Sequence, residues 1–225
     1  MNLAKNHIDL ALFSNKRDEQ LAFWQNRAGL EYDHMGKLGG GMQQHCHFMN
    51  GSILKMNHAR VALPALPPSG WRALQIARAG IDAPLHLADP DGNRVSLVPP
   101  GSEGIGGIAI RLKVSNRDAT EHFYRHAMQF SSPRTGVYQC GDSLLIVDGE
   151  EKIARADDYR APGYRYITVQ IWDAAAETEG IIARGGELGR ALTELGETVR
   201  FSFVRDPDGN WIEISQRASL TGGHL

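Results

Sequence analysis

One turn occurs twice in this 225-residue chain, and each time it opens the same kind of strand. The first copy reads DPDGN at 89–93 and continues into RVSLV, while the second reads DPDGN at 206–210 and continues into WIEIS. Asp-Pro enters a tight turn, and glycine supplies the position with φ above zero. At the third strand position the second copy has Glu213 where the first has Ser96. A duplicated turn and strand predict a duplicated architecture.

The repeat extends to a longer unit of strand, helix and three strands. The start NHIDLALF alternates polar and apolar residues like a half-buried strand, and KRDEQLAFWQNRA spaces apolar residues along one helix face. Three strands then follow, the last two joined at Asn50-Gly51, a hairpin signal. We expect four such βαβββ units, near 1–60, 70–100, 105–150 and 163–217. The second is eroded, because ARAGIDAP is too short and too broken by Gly and Pro for a helix.

Pro- and Gly-rich linkers divide the chain. LPALPPSG follows the first unit and VPPGSEGIGG follows the second. The expected fold class is α+β, with an N-terminal domain at 1–100, a C-terminal domain at 101–217 and a tail at 218–225.

Composition narrows the class of partner. A formal charge of −2 gives no reason to expect nucleic acid as a partner, and no apolar run approaches the ~18 residues that span a bilayer. The start of the sequence does not resemble a signal peptide, which predicts a cytoplasmic protein. Cys46 and Cys140 are too few and too far apart for a disulfide framework or a zinc knuckle, so reduced thiols are expected.

Three features together resemble a known family: the Asn6-His7-Ile8 strand, the helix pairs Phe23-Trp24 and Phe123-Tyr124, and DPDGN followed by a strand with glutamate at its third residue. They are similar to the vicinal oxygen chelate superfamily, which includes glyoxalase I, bleomycin-resistance proteins, fosfomycin-resistance enzymes and extradiol dioxygenases. The resemblance covers nearly the whole chain. It implies paired units whose curved mixed sheets enclose a cleft and, in the enzymes, a divalent metal held by first and last strands. The superfamily also includes metal-free drug binders.

Strand alternation predicts which residues face the cleft. If Ile8 and Leu10 pack on the helix, His7 and Asp9 face inward, and the same parity sends Cys46 to the helix side. The inward polar residues expected from unit one are His7, Asp9, His45, His47, Lys55 and Asn57. Those expected from unit four are Tyr166, Thr168, Gln170, Trp172, Trp211, Glu213 and Ser215.

The resemblance places His7 and Glu213 at metal-ligand positions. His45 and His47 lie two apart on one strand and point into one space, so either could complete a site for Fe²⁺, Mn²⁺, Zn²⁺ or Ni²⁺. Tyr166 stands where many relatives have a second histidine, which puts the usual ligand set in doubt. Lys55 also argues against a metal, because an ammonium repels a dication.

Without a metal, Tyr166 and Glu213 could donate and accept a proton. The catalytic candidates are therefore His7, Tyr166 and Glu213. The substrate-binding candidates are His45, His47, Lys55, Arg111, Gln170, Trp172 and Trp211.

Two pairings of the units are open. Units adjacent in sequence could pair, which would separate His7 from Glu213, or unit one could pair with unit four and bring them to one cleft. The resemblance and the polar inward residues together predict an enzyme of the glyoxalase or extradiol dioxygenase type. Its expected substrate is a small oxygenated molecule, which includes aromatic compounds. The alternative is a metal-free binding protein of the bleomycin-resistance type, and the resemblance also suggests a homodimer through free sheet edges.

Overall fold

The structure is a computed structural model that describes residues 1–223 and residue 225. The strands in chain order are β1 (Asp9–Ser14), β2 (Glu31–Gly39), β3 (Met42–Met49), β4 (Ser52–His58), β5 (Trp71–Ala77), β6 (Leu85–Ala88), β7 (Arg94–Val98), β8 (Ile108–Val114), β9 (Ser131–Arg134), β10 (Val137–Cys140), β11 (Ser143–Glu150), β12 (Gly163–Gln170), β13 (Glu187–Leu195), β14 (Val199–Arg205) and β15 (Trp211–Arg217). The helices are α1 (Arg17–Ala22), α2 (Arg117–His122) and α3 (Ala174–Ala183), with π-helical turns at Phe23–Arg27 and Phe123–Ala127 and a 3₁₀ turn at Ser102–Gly104.

This order confirms the α+β class and the four units. Units one, three and four each contain a strand, a helix and three further strands, whereas unit two runs from β5 to β6 and β7 without a helix between them. The erosion has the expected cause, because Gly80 adopts φ 79° in the short connection. The tail predicted at 218–225 includes residue 224, which lies outside the described residues.

Two open mixed sheets contain all these strands. The eight-stranded sheet has the order β13-β14-β15-β12-β1-β4-β3-β2, and the seven-stranded sheet has the order β6-β7-β5-β8-β11-β10-β9. At the centre of the first sheet β1 and β12 are antiparallel, with Leu10 opposite Ile167; at the centre of the second β5 and β8 are antiparallel, with Leu74 opposite Ile110. Each sheet is thus two units related by an approximate two-fold axis.

The pairing follows the second of the two open alternatives. Unit one pairs with unit four, and unit two pairs with unit three. Each sheet therefore draws strands from both 1–100 and 101–217, and those predicted domain limits do not coincide with the sheets.

The helices cover one face of each sheet and build the main core. Trp24 and Tyr124 are fully buried at matching helix positions, and each meets the preceding phenylalanine edge to face, with ring centroids 5.0 and 5.1 Å apart. Such pairs combine apolar burial with favourable ring geometry. The repeated Phe-Trp and Phe-Tyr motif is therefore a packing motif.

Each DPDGN turn makes a hydrogen bond to the helical segment of the preceding unit. Asp89 accepts hydrogen bonds from the Asn93 backbone and from Gln20 of α1, while Asp206 accepts from the Asn210 backbone and from Tyr124. A carboxylate that accepts from its own turn fixes that turn locally. The turns are structural, as their sequence indicates.

The outer strands β2 and β13 of the eight-stranded sheet have unpaired edges and carry exposed apolar side chains. Leu38 on β2 is 46% exposed and Leu195 on β13 is 54% exposed. Unpaired strand edges are common pairing surfaces, so a homodimer through them stays a prediction.

The helices and the two cysteines bear on the predicted cellular location. Within the described part of the chain, no helix has the length and apolar character that crossing a membrane would need. Cys46 and Cys140 are both buried free thiols, as expected, and burial raises their pKa values to about 11 and about 12. The cytoplasmic location stays a prediction.

Candidate functional site

The candidate site is the face of the eight-stranded sheet that lies opposite the helices. Paired residues on neighbouring strands share a face, so the register defines it. One row runs from Lys55 through Ala11 and Tyr166 to Trp211, and the next runs from Asp9 through Thr168 to Glu213. We call this the first concave face, and its polar residues are Asp9, Lys55, Asn57, Tyr166, Thr168, Gln170, Trp211, Glu213 and Ser215.

Three buried side chains form the centre of this face. Lys55 Nζ donates hydrogen bonds to Thr168 Oγ1 at 2.6 Å and to Glu213 Oε2 at 2.7 Å. Thr168 Oγ1 donates to the same Glu213 oxygen at 2.6 Å. Lys55 is only 3% exposed and Glu213 only 7%. A buried charge needs a partner of this kind, because burying it alone is very costly.

The protonation states at this centre follow from burial and charge. Burial alone would raise the pKa of Glu213, but the charge of Lys55 and the hydrogen bonds from Lys55 and Thr168 outweigh it and hold that pKa below its usual value. Burial and the Glu213 carboxylate raise the pKa of Tyr166 well above its usual value. At neutral pH, Glu213 is therefore ionised and Tyr166 keeps its proton.

Aromatic rings close the face over this centre. Tyr159 stacks on Phe203 with centroids 4.7 Å apart and meets Trp211 edge to face at 5.2 Å. It also contacts Tyr166 at 5.5 Å and Phe13 at 5.9 Å. Tyr159 comes from the segment 151–162, which contains neither helix nor strand. A side chain on an irregular segment thus covers a site that is built on rigid strands.

A cavity of about 20 Å³ lies beside Tyr159 and Trp211, between the linker at 67–69 and the turn at 208–210, and it is not lined by the residues of the buried centre. On the first concave face the side chains of Asn57, Gln170 and Ser215 each have a buried polar atom without a hydrogen-bond partner among the described residues. Buried polar atoms of this kind are uncommon in folded proteins and indicate a surface built to meet another polar group.

His7 does not reach this centre. It precedes β1, and its Nδ1 lies 2.7 Å from Asp142 Oδ1 in the turn between β10 and β11 of the other sheet. Its ring fills the space over Gly51, where a Cβ would lie 2.4 Å from it. Asp9, rather than His7, shares the row of Thr168 and Glu213. The structure therefore separates His7 from Glu213, although their units pair.

His45 and His47 lie on the opposite face, which corrects the expected parity of β3. His45 pairs with Met56 and His47 with Leu54, both core residues on the helix side. Cys46 pairs with Lys55 and therefore lies on the first concave face. Cys46 is apolar and buried, but it lies beside Lys55 on the polar face, so its apolar character predicts the wrong face for β3.

Burial lowers the pKa values of three histidines: His45, His47 and His58. His47 is fully buried, and neither ring nitrogen has a hydrogen-bond partner among the described residues. Burial lowers its pKa to about 4, and burial also lowers the pKa values of His45 and His58. These side chains are therefore neutral near pH 7.

The remaining predicted binding residues fall in three places. Gln170 and Trp211 lie on the first concave face, where Gln170 donates to Asp9 at 3.3 Å and Arg205 covers the Trp211 ring at 4.0 Å. Trp172 lies beyond the end of β12 and is 46% exposed. Arg111 belongs to β8 in the seven-stranded sheet, away from this face.

A divalent metal does not fit the residues at this centre. The carboxylate of Glu213, the predicted ligand, already has an ammonium 2.7 Å from it, and the other carboxylate of its row, Asp9, is paired with Lys5 at 2.7 Å. Dications and Lys55 would repel each other at this distance. No group of three or more His, Cys, Asp or Glu side chains in the described residues has an arrangement that could hold a metal.

Two contributors to the site were not among the catalytic or binding candidates. Strand alternation correctly predicted that Thr168 faces inward, but gave it no role. Tyr159 had no signal, because the segment EKIARADDYRAPG has no strand or helix periodicity.

Comparison with known proteins agrees with this architecture. The family model described as "Glyoxalase/Bleomycin resistance protein/Dioxygenase superfamily" matches residues 107–214, which are units three and four. Glyoxalase I from Zea mays has the same fold, with a TM-score of 0.72 at 12% identity over 97% of each chain. A point mutant of that enzyme gives a TM-score of 0.74 at 11% identity, over 96% of this chain and 93% of the other. No curated protein matches the sequence significantly.

The fold and the paired units define a glyoxalase-like two-sheet protein. Residues 107–214, about half of the chain, match the Glyoxalase/Bleomycin resistance protein/Dioxygenase superfamily, the family that the sequence resembles.

Proposed function

We propose that the protein binds a small oxygenated aromatic molecule on the first concave face without a metal. The observation that supports this most strongly is the buried centre of Lys55, Thr168 and Glu213 beneath a layer of aromatic rings. Lys55 supplies the positive charge at the centre of the face. This corresponds to the sequestering alternative predicted from the sequence.

Lys55 can bind a ligand oxygen directly. An ammonium has three N–H donors, and two of them are used by Thr168 and Glu213. The third is available for a phenol, phenolate or carbonyl oxygen. Because the site is buried, that hydrogen bond would be stronger than one at the surface.

The aromatic part of the ligand would replace the ring of Tyr159. Phe203 and Trp211 hold that ring by one stacked and one edge-to-face contact. A planar ligand can make the same contacts once the segment 151–162 moves outward. The side chains of Asn57 and Ser215 would then meet the polar substituents of the ligand.

The pKa directions favour binding over proton transfer between Tyr166 and Glu213. A general acid and base work best with pKa values near the working pH. Here the pKa of Glu213 is lowered, which weakens it as a base, and that of Tyr166 is raised, which weakens it as an acid. The catalytic roles of these two residues stay predictions that turnover assays can test.

Isothermal titration calorimetry in the presence of EDTA tests the proposal. Phenol and catechol should bind saturably, and cyclohexanol should bind at least about tenfold more weakly because it cannot stack. The double variant Lys55→Met/Glu213→Gln removes both charges together and should weaken phenol binding at least about tenfold. Lys37→Met, at an exposed lysine, is the matched control.

Elemental analysis of untagged protein gives an independent check. We expect metal well below one equivalent per chain. A stoichiometric metal that is lost in Glu213→Gln would overturn the metal-free site, as would phenol binding that is unchanged in the double variant.

A further inference from the structure

The seven-stranded sheet has a concave face of its own, and it is open. A cavity of about 390 Å³ lies on it. Small-molecule sites typically have volumes of about 300–1,000 Å³. The lining residues are Ala73, Gln75, His86, Leu87, Arg94, Val95, Ser96, Arg111 and Asp148.

The register explains both the depth and the charge of this cavity. Ala73 pairs with Arg94 on one side and with Arg111 on the other, so the three form one row across β7, β5 and β8. Alanine is short, whereas the two arginines are long. Adjacent strands lie about 4.8 Å apart, so two guanidinium groups border a depression whose floor is Ala73.

The two arginines differ in how they are held. Arg111 Nε donates to Gln75 Oε1 at 2.9 Å, its Nη2 donates to Glu103, and its Nη1 lies 3.6 Å from Asp148 Oδ1. These contacts fix its orientation and balance its charge. Arg94 is exposed and makes no ion pair with any described residue. All five of its N–H donors are available.

We propose that this cavity is a second ligand site, separate from the first concave face, and that it binds a small monocarboxylate. Arg94 supplies a positive charge that no described carboxylate pairs with, so one carboxylate of a ligand can pair with it. A planar guanidinium binds a carboxylate through two parallel hydrogen bonds, a geometry that lysine cannot offer. The apolar body of the ligand lies over Ala73, which forms the floor of the cavity.

A hydrogen-bonded pair forms the next row of the cavity. His86 Nδ1 lies 2.9 Å from Ser96 Oγ, and Ser96 pairs with Gln75. Ser96 occupies the position that corresponds to Glu213 in the other copy of the turn. A carboxylate at this position would repel an anionic ligand, and the hydroxyl of serine does not.

Titration of ¹⁵N-labelled full-length protein with acetate, hexanoate and benzoate tests this site by NMR. At least one of these should give saturable shifts concentrated at 73–75, 86–87, 94–96 and 111, and the matching neutral amide should bind at least about tenfold more weakly. Arg94→Gln should raise the Kd at least about tenfold. Arg27→Gln, another exposed arginine without an ion pair, should leave it unchanged.

Three results would overturn the second site. One is the absence of saturable binding by all three carboxylates. Another is an affinity that Arg94→Gln leaves unchanged. The last is binding that disappears in Lys55→Met/Glu213→Gln, because that would place the carboxylate on the first face. Because binding here should persist in the double variant, failure of the first site and failure of the second are distinguishable.

Discussion

The two concave faces of this protein have the same construction and opposite chemistry. In unit four Thr168 pairs with Glu213, and at the matching place in unit two Gln75 pairs with Ser96. The first face is buried, covered by Tyr159 and centred on an ion pair, while the second is open and bordered by arginines. One repeated scaffold has thus produced two different electrostatic environments through a few strand positions.

The position that differs most is on the last strand of each unit. Lys55 and Glu213 occupy it in the first sheet and form a buried pair across the two-fold axis. Ser96 and Ile146 occupy it in the second sheet, and neither carries a charge. A buried carboxylate requires a cation, so Glu213 and Lys55 depend on each other, whereas Ser96 requires nothing.

The largest difference between the faces should appear when this pair is broken. Glu213→Gln leaves the Lys55 ammonium buried without its counter-charge, which should lower the free energy of unfolding by about 3–5 kcal/mol. Ser96→Ala at the matching position should cost less than about 1 kcal/mol. Urea denaturation of both variants measures the difference. Similar losses in the two would contradict the view that only the first face contains an interdependent pair.

Acid should destabilise the eight-stranded sheet, because His47 is buried on its helix side. His47 corresponds to Tyr138 in unit three, since each lies two residues before the end of the strand that enters the hairpin. The folded pKa of His47, about 4, is below its unfolded value of ~6.5. As pH falls from ~6.5 toward ~4, the unfolded chain gains a proton that the folded chain does not, so stability falls by about 2–3 kcal/mol.

Urea denaturation at a series of pH values checks this expectation. His47→Phe should flatten the dependence between pH 6.5 and 4 relative to the wild type. Glu213 acts in a separate window: its folded pKa is lowered, so its contribution is present above pH ~4.5 and is lost as pH falls below that value. An unchanged profile in His47→Phe would show that His47 is not the source of the acid sensitivity.

Removing the ring of Tyr159 should open the first concave face to ligands, as the second concave face already is. Tyr159→Ala removes the ring that covers Lys55 and Glu213, so phenol no longer has to displace it. We expect phenol to bind about tenfold more tightly, equivalent to about 1.4 kcal/mol, because the open form no longer has to be selected. Calorimetry with Lys152→Ala, an exposed lysine on the same segment, is the control. Weaker phenol binding in Tyr159→Ala would instead make Tyr159 part of the binding surface.

Much of the fold could be predicted because it repeats. Four units, the missing helix of unit two and the core faces of β1, β4, β12 and β15 all follow from periodicity. The pairing of units could not be predicted, because both alternatives satisfy the same strand patterns. The contacts of β1 with β12 and of β5 with β8 distinguish them.

The parity of β3 shows where the site prediction failed and how it could have succeeded. A two-residue turn at Asn50-Gly51 places Met49 opposite Ser52, and counting outward puts Cys46 opposite Lys55. The hairpin therefore determines the face of His47, and it is more reliable here than the apolar character of Cys46. His7 is a different case, because alternation could not reveal that β1 begins after it.

The smallest difference in stability is expected between the two copies of the DPDGN turn. Gly92 and Gly209 adopt φ 84° and 80°, where any residue with a Cβ is strained. Gly92→Ala and Gly209→Ala should each lower the free energy of unfolding by about 1 kcal/mol. A Cβ on Gly92 would meet open space, whereas one on Gly209 would lie 3.0 Å from the flexible Arg155 side chain, so Gly209→Ala should cost a few tenths more. Denaturation curves that differ by several kcal/mol would show that the two turns do not have the same structural role.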